Sequence, residues 1–129
     1  MTQILQVQGT EKRLYQLVAP MVMDPEVLRA NNNYPFKTTD RYVWFIAVEG
    51  KTVVGFIPVE QRNAVSIINN YYVSEDNTEV LEALLVAVAE ASGKERMLTA
   101  VVLQKHQPVF QKCGFMVEKV WKRYVKMQR

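Results

Sequence analysis

Residues 65–103 read VSIINNYYV-SEDN-TEVLEALLVAVAEAS-GKER-MLTAVVL, and this stretch decides the fold. Its centre is a helix. Leu81, Leu84, Leu85 and Val88 recur at the spacing of one buried stripe, and Ala83, Ala87, Ala89 and Ala91 add high helix propensity. Ser92-Gly93 is a stop signal. On either side lies β-type sequence, Val65 to Val73 before the helix and Met97 to Leu103 after it. The second run is almost wholly apolar, as expected of a central strand buried on both faces. Two strands joined by one helix are parallel neighbours with a right-handed crossover.

Upstream, Tyr42 to Val48 is aromatic and β-branched, and Glu49-Gly50-Lys51 turns it into Thr52 to Val59. Arg62-Asn63 is a second turn, so three antiparallel strands precede the helix. Pro58 predicts a bulge or an unpaired stretch. Nearer the N-terminus, Ile4 to Val7 alternates as a strand, and Thr10 is a candidate N-cap. Leu14, Leu17, Val18 and Met21 then form a helical stripe that Pro20 should kink or end. Asp24-Pro25 starts a second helix that fades into Asn31-Asn32-Asn33, with Pro35 against continuation. Downstream, Gln107-Pro108 opens a short helix that Gly114 closes. Val117 to Trp121 and Tyr124 to Met127 finish the chain as one or two strands. The order is β-α-α-β-β-β-α-β-α-β(-β), an α/β mixed sheet in a single domain over residues 1–129.

Composition narrows the function. Of 129 residues, 49% are hydrophobic and 22% charged, as in an ordinary globular domain. The longest strictly apolar run, Ala83 to Ala89, is far too short to span a membrane. Gln3, Gln6 and Gln8 break up the N-terminal apolar stretch, so no signal peptide is expected. Cys113 is the only cysteine, which excludes an internal disulfide and suits the cytoplasm. There is no Cys/His cluster for a metal and no phosphate-binding glycine loop. A net charge of +3 does not by itself mark a nucleic-acid binder. The run Lys119 to Lys126 interleaves basic and aromatic residues. It suits either a polyanion or an edge strand guarded by lysines.

The element order, the segment Val109-Phe110-Gln111-Lys112-Cys113-Gly114-Phe115 and the hairpin Phe45 to Gly55 together resemble the GNAT N-acetyltransferase superfamily. The first segment is similar to the family's hydrophobic-Tyr-Glu-Lys-x-Gly-Phe. The resemblance covers nearly the whole chain. It implies that the strands flanking the long helix splay apart to take acetyl-CoA, with the pyrophosphate on backbone N–H groups where that helix begins. Tyr72, Val73, Ser74, Asn77, Thr78, Glu79, Val80 and Phe110 are then the cofactor-binding positions. Tyr34, Phe36 and Trp44, with Tyr42, gather where the family builds its acceptor pocket. Core packing is the alternative for these aromatics.

This sequence departs from the family at several of those positions. The family's Arg/Gln-x-x-Gly-x-Gly/Ala is replaced by a stretch in which Asp76 takes the Arg/Gln position and Glu79 and Leu81 take the glycines. Glu75, Asp76, Glu79 and Glu82 bring four carboxylates toward a dianion, where charges within a Debye length of about 8 Å repel. The bland reading is a capped helix, with Asp76, Asn77 or Thr78 as N-cap and Glu79 and Glu82 complementing the dipole. Phe110 stands where the family's tyrosine would reprotonate the departing thiolate, and it has no proton to give. His106, the sole histidine, is the candidate proton relay; a solvated helix-start histidine is the alternative. Two functions follow. One is an acyl-CoA-dependent N-acyltransferase acting on a primary amine of a small molecule or protein. The other is a GNAT-fold binding or regulatory protein, or an anion- or nucleic-acid-binding accessory protein, without the cofactor.

Overall fold

In a computed structural model, which describes residues 2–30, 36–93 and 96–129, the elements follow the order read from the sequence. They are β1 (Thr2–Gln8), α1 (Lys12–Val22), α2 (Pro25–Ala30), β2 (Tyr42–Glu49), β3 (Thr52–Arg62), β4 (Val65–Ile68) and β5 (Tyr72–Val73). Then come α3 (Thr78–Ser92), β6 (Met97–Leu103), α4 (Gln107–Lys112), β7 (Met116–Val120) and β8 (Tyr124–Gln128). One mixed sheet carries them in the order β1-β2-β3-β4-β6-β8-β7, with β5 paired to β3 beside that path. Among the described residues only β4 and β6 run parallel, and α3 is the crossover between them.

Period-two alternation along β2 divides the core between two faces. Trp44 and Ile46 pack with Val7, Leu14, Val18 and Phe56, beneath α1. Val43, Phe45 and Ala47 pack on the opposite side with the α3 stripe, where Val80, Leu81, Leu84, Leu85 and Val88 are all buried. Burying each of these aliphatic side chains is worth about 1.5–3 kcal/mol relative to exposure.

Four local expectations change. Thr10 does not cap α1; Glu11 holds the N-cap position with no side-chain cap bond, and its carboxylate instead accepts from the Gln8 N–H. Pro20 lies inside α1, which runs on to Val22 before ending, because Met21 and Val22 pack against the core. β6 alternates instead of being buried on both faces: Leu98, Ala100 and Val102 are buried, whereas Met97 is exposed. The run Val65 to Val73 is two strands, since Asn69, Asn70 and Tyr71 leave the ladder. That break creates the candidate site.

Candidate functional site

β3 pairs with β4 as far as Val59↔Ile68 and resumes with β5 at Phe56↔Tyr72. Two residues of β3, Ile57 and Pro58, therefore face three on the other side, which is a bulge. Pro58 has no N–H to give that stretch. At the same point the parallel ladder stops. β4 and β6 pair from Val65↔Met97 to Ile68↔Ala100, and beyond that β6 pairs only with β8 while β5 pairs only with β3. The two halves of the sheet diverge, leaving a wedge that opens toward the start of α3. Gly55 permits the close approach on one flank, since a Cβ there would sit 2.9 Å from the Tyr72 carbonyl oxygen.

Tyr71 turns into this wedge. Its hydroxyl accepts from the Leu103 N–H at 3.2 Å and lies 2.7 Å from His106 Nδ1. The phenol donates to Nδ1 when the imidazole carries its proton on Nε2 and accepts from Nδ1 in the other tautomer. Nε2 lies 3.3 Å from Asp76 Oδ1, yet it is buried without a hydrogen bond in line. Tyr71, His106 and Asp76 thus form a chain from the wedge floor to the loop before α3. His106 is not solvated at a helix start, as one reading of the sequence had it; only 3% of its surface is exposed. Burial raises the Tyr71 phenol above its usual range. The hydrogen bond from Lys105 is the main reason that the Asp76 carboxyl titrates below its usual value.

Burial also lowers the His106 imidazole, against an opposing pull from the Asp76 carboxylate and with a small push from Lys105. A lowered folded-state value means that the unfolded chain takes the proton first. The resulting stability is present above about pH 6.5 and is lost as pH falls toward the folded-state value. Stability should therefore fall as pH drops from about 7.5 to about 5. His106→Gln should flatten that slope in urea midpoints measured across the range. An unchanged slope in the variant would mean that His106 is not its source.

The loop itself is acidic and tightly wound. Ser74–Asp76 makes a short 3-10 turn in which Glu75 and Asp76 have φ of 57° and 53°, the left-handed region that side chains disfavour. Asn77 caps α3, its Oδ1 accepting from both the Glu79 N–H (3.0 Å) and the Val80 N–H (3.1 Å). Thr78 and Glu79 are exposed, whereas Val80 is buried. Asp24 caps α2 by accepting from the Glu26 N–H at 2.9 Å. A shallow cleft of about 250 Å³ runs between the start of α2 and this loop.

Of the sequence-predicted positions, Tyr72 and Val73 line this cleft, whereas Ser74, Asn77, Thr78, Glu79 and Val80 belong to the loop and first turn of α3 that follow. Phe110 is fully buried on α4, 5.7 Å from the Tyr71 ring. Trp44 is buried on the α1 side, donating from Nε1 to Thr38 Oγ1, and its ring and that of Phe36 both pack on Phe56. Tyr34, like Asn31, Asn32, Asn33 and Pro35, lies outside the described residues. Tyr71 was not singled out from the sequence. The Asn69-Asn70 pair inside an apolar run is the signal that points to it, since such a pair breaks strand alternation.

No family model and no curated protein matches this chain. Solved structures do. The chain superposes on Escherichia coli ElaA with a TM-score of 0.75 at 16% identity, covering 100% of this chain and 99% of that one. The ribosomal-protein-S18-alanine N-acetyltransferase of Escherichia coli gives 0.74 at 13% identity, with coverage of 99% and 92%. PaiA N-acetyltransferase from Thermoplasma acidophilum, solved with coenzyme A, gives 0.65 at 13% identity, with coverage of 100% and 98%. This is the GNAT fold.

GNAT proteins such as the last of these hold coenzyme A, so the wedge here must be tested against that group. The residues do not fit its pyrophosphate. Asn77 occupies two of the N–H donors at the α3 terminus, and Glu75, Asp76 and Glu79 bring three carboxylates to the loop and first turn beside it. A helix terminus attracts anions through free N–H groups and its dipole; here two of the first are engaged and the second is opposed by the carboxylates beside it. Within the wedge, Tyr71 already holds the Leu103 N–H. Among the described residues there is no group of three or more His, Cys, Asp or Glu placed to hold a metal. No described helix is long and apolar enough to cross a membrane.

Proposed function

We propose that this chain is a GNAT-fold binding protein whose wedge has been closed to acyl-CoA and retained as a site for another small ligand. The Asn77 side chain on the Glu79 and Val80 N–H groups carries this reading. A helix start that satisfies its own donors has little left for a phosphate. The free, half-buried Cys113 is consistent with a cytoplasmic protein. Calorimetric titration with acetyl-CoA tests the proposal. The expected result is a Kd weaker than about 1 mM; a value in the low micromolar range would overturn it.

A second reading keeps the family's chemistry: an acyl-CoA-dependent N-acyltransferase acting on a primary amine of a small molecule or a protein. The divergence of the sheet after Ile68 and Ala100 favours it, because that gap is where the resemblance puts the acyl donor. In that case Tyr71 and His106 are the proton-bearing groups at hand, since Phe110 has none.

The basic C-terminal run is a weaker basis for nucleic-acid binding. β7 is exposed along its length, but Lys126 lies 3.8 Å from Glu118 and Lys119 sits over the Trp121 ring. Both contacts suit a guarded edge strand.

A further inference from the structure

We propose that the chain forms a two-fold dimer by packing the open face of its C-terminal half-sheet on the same face of a second copy. The face follows from alternation. Along β4, β6 and β8 every second side chain is buried on the α3 side. The alternate set points the other way, and among its members only Thr99, Lys126 and Gln128 are polar. The rest are Val65, Ile67, Met97, Val101, Leu103 and Tyr124, and none of these six packs into either core cluster. The helix on this side, α1, packs over β1, β2, β3 and Tyr72 and leaves the other half of the sheet bare. A sheet face meant for water carries polar side chains at such positions. An apolar face rimmed by charge is an interaction surface.

The pattern of this face is complementary to itself. The strands of this half run β3-β4-β6-β8-β7, so β6 lies in the middle. A two-fold axis along β6 therefore lays β4 over β8 and β3 over β7. Val101 and Leu103 then meet their own copies across the axis. Lys126 shares a row with Val101, one residue beyond the Ile68↔Ala100 pair, and so comes over the second copy's Asn69. That carboxamide oxygen can accept from an ammonium. Arg62, Asn69 and Lys126 already border a hollow of about 270 Å³ floored by Ile67, Thr99 and Val101, which side chains of a second copy would fill.

Charge at the two rims selects the same partner. β3 brings Glu60 and Arg62 to this face, in register with Ile67 and Val65. β7 brings Lys119, in register with Lys126, and Glu118, whose carboxylate lies 3.8 Å from the Lys126 ammonium. Laying β3 over β7 sets Arg62 against Glu118 and Glu60 against Lys119, once on each side of the axis. The offset is two or three residues at about 3.4 Å each, a distance that long side chains cover. With acids and bases nearly balanced, the face suits its own copy better than a polyanion. The outer edge of β7 is blocked by its bulge between Val117 and Lys119 and by its lysine, so association falls to the face.

Five strands about 4.8 Å apart and some five residues deep give a footprint of roughly 24 by 17 Å. That is about half the area per partner of a standard interface, so a weak dimer is expected, with a Kd of about 10–100 µM. Nothing in this pairing depends on what the wedge binds.

Sedimentation velocity of the whole chain, in a concentration series up to about 1 mM, tests the dimer. Wild type should pass from monomer to dimer across the series. Val101→Lys should weaken association at least about tenfold by placing two ammonium groups on the axis. Val86→Lys, at a residue 45% exposed on α3, should leave it unchanged. Arg62→Glu and Glu118→Arg alter exposed residues and should each weaken it about tenfold, because like charges then meet at both rims. Mixed in equal amounts, these two variants should form a heterodimer within about threefold of wild-type affinity, since opposite charges face each other again. Circular dichroism confirms that each variant is folded. A wild type that stays monomeric throughout the series would overturn the inference. So would a dimer indifferent to Val101→Lys, or two charge variants that fail to recover association on mixing.

Discussion

Phe110→Ala should destabilise the protein by about 3–5 kcal/mol, the cost of deleting a fully buried aromatic ring. The ring has no exposed surface. It packs edge-on against Phe115 at a centroid distance of 5.1 Å and lies 5.7 Å from Tyr71. Its backbone carbonyl also accepts the Phe115 N–H at 3.0 Å, closing the turn after α4. The void would therefore open between α4 and the floor of the wedge, where the neighbours are already held by hydrogen bonds and can collapse little. Phe110→Leu should cost markedly less because it keeps most of the volume. Tyr15→Ala serves as the control: that ring is 68% exposed and should change stability by less than about 0.5 kcal/mol. Urea midpoints for the three variants decide. A loss below about 1 kcal/mol for Phe110→Ala would mean that this ring is not a core member.

The location of Phe110 was legible from Val109 to Phe115 because a short amphipathic helix followed by Gly-Phe leaves few alternatives. Gly114 has φ of 94° and ends α4 as a glycine in that conformation must. The long helix was legible for a similar reason, since its stripe, its cap and its stop all agree. Both hairpins followed from their turns, and Gly50 and Asn63 have φ of 62° and 46°.

The misses share a cause. Burial on both faces of β6, the Thr10 cap and the unbroken strand from Val65 to Val73 were inferred from local preference, whereas tertiary pairing set the outcome. The first two affect only packing detail. The third is where the function lies. A continuous apolar run reads as a continuous strand, yet Asn69 and Asn70 interrupt the ladder and turn Tyr71 inward onto His106. The contact joins residues 35 positions apart. Neither residue's neighbours in sequence announce it, and a lone histidine beside Lys105 reads as surface. The four-carboxylate cleft was hidden in the same way. Glu75 and Asp76 were visible as acidic residues of the loop, but Asp24 and Glu26 belong to a helix start some fifty residues earlier. Only the fold brings the two pairs to one opening.

Removing carboxylates beside the α3 terminus should raise its affinity for an anion. The double variant Asp76→Arg/Glu79→Gly removes two negative charges and adds one positive, a change of three units beside the α3 terminus. At about 0.5–1 kcal/mol per exposed interaction with a phosphate, the gain is about 1.5–3 kcal/mol, or tenfold to a hundredfold in acetyl-CoA affinity. Glycine at position 79 also clears a side chain from the backbone that a phosphate must approach. Asn77 remains as the cap and keeps its two donors engaged, so the gain should be mostly Coulombic and should shrink as salt rises. Stability should fall by about 1 kcal/mol, because Asp76 gives up Lys105 and His106, and because arginine is poorer than aspartate at a φ of 53°. Calorimetry with acetyl-CoA at two salt concentrations, with urea midpoints for stability, measures all of this. If the variant gains no acetyl-CoA affinity, the carboxylates are not what closes the site, and the Asn77 side chain on the Glu79 and Val80 N–H groups becomes the barrier to remove.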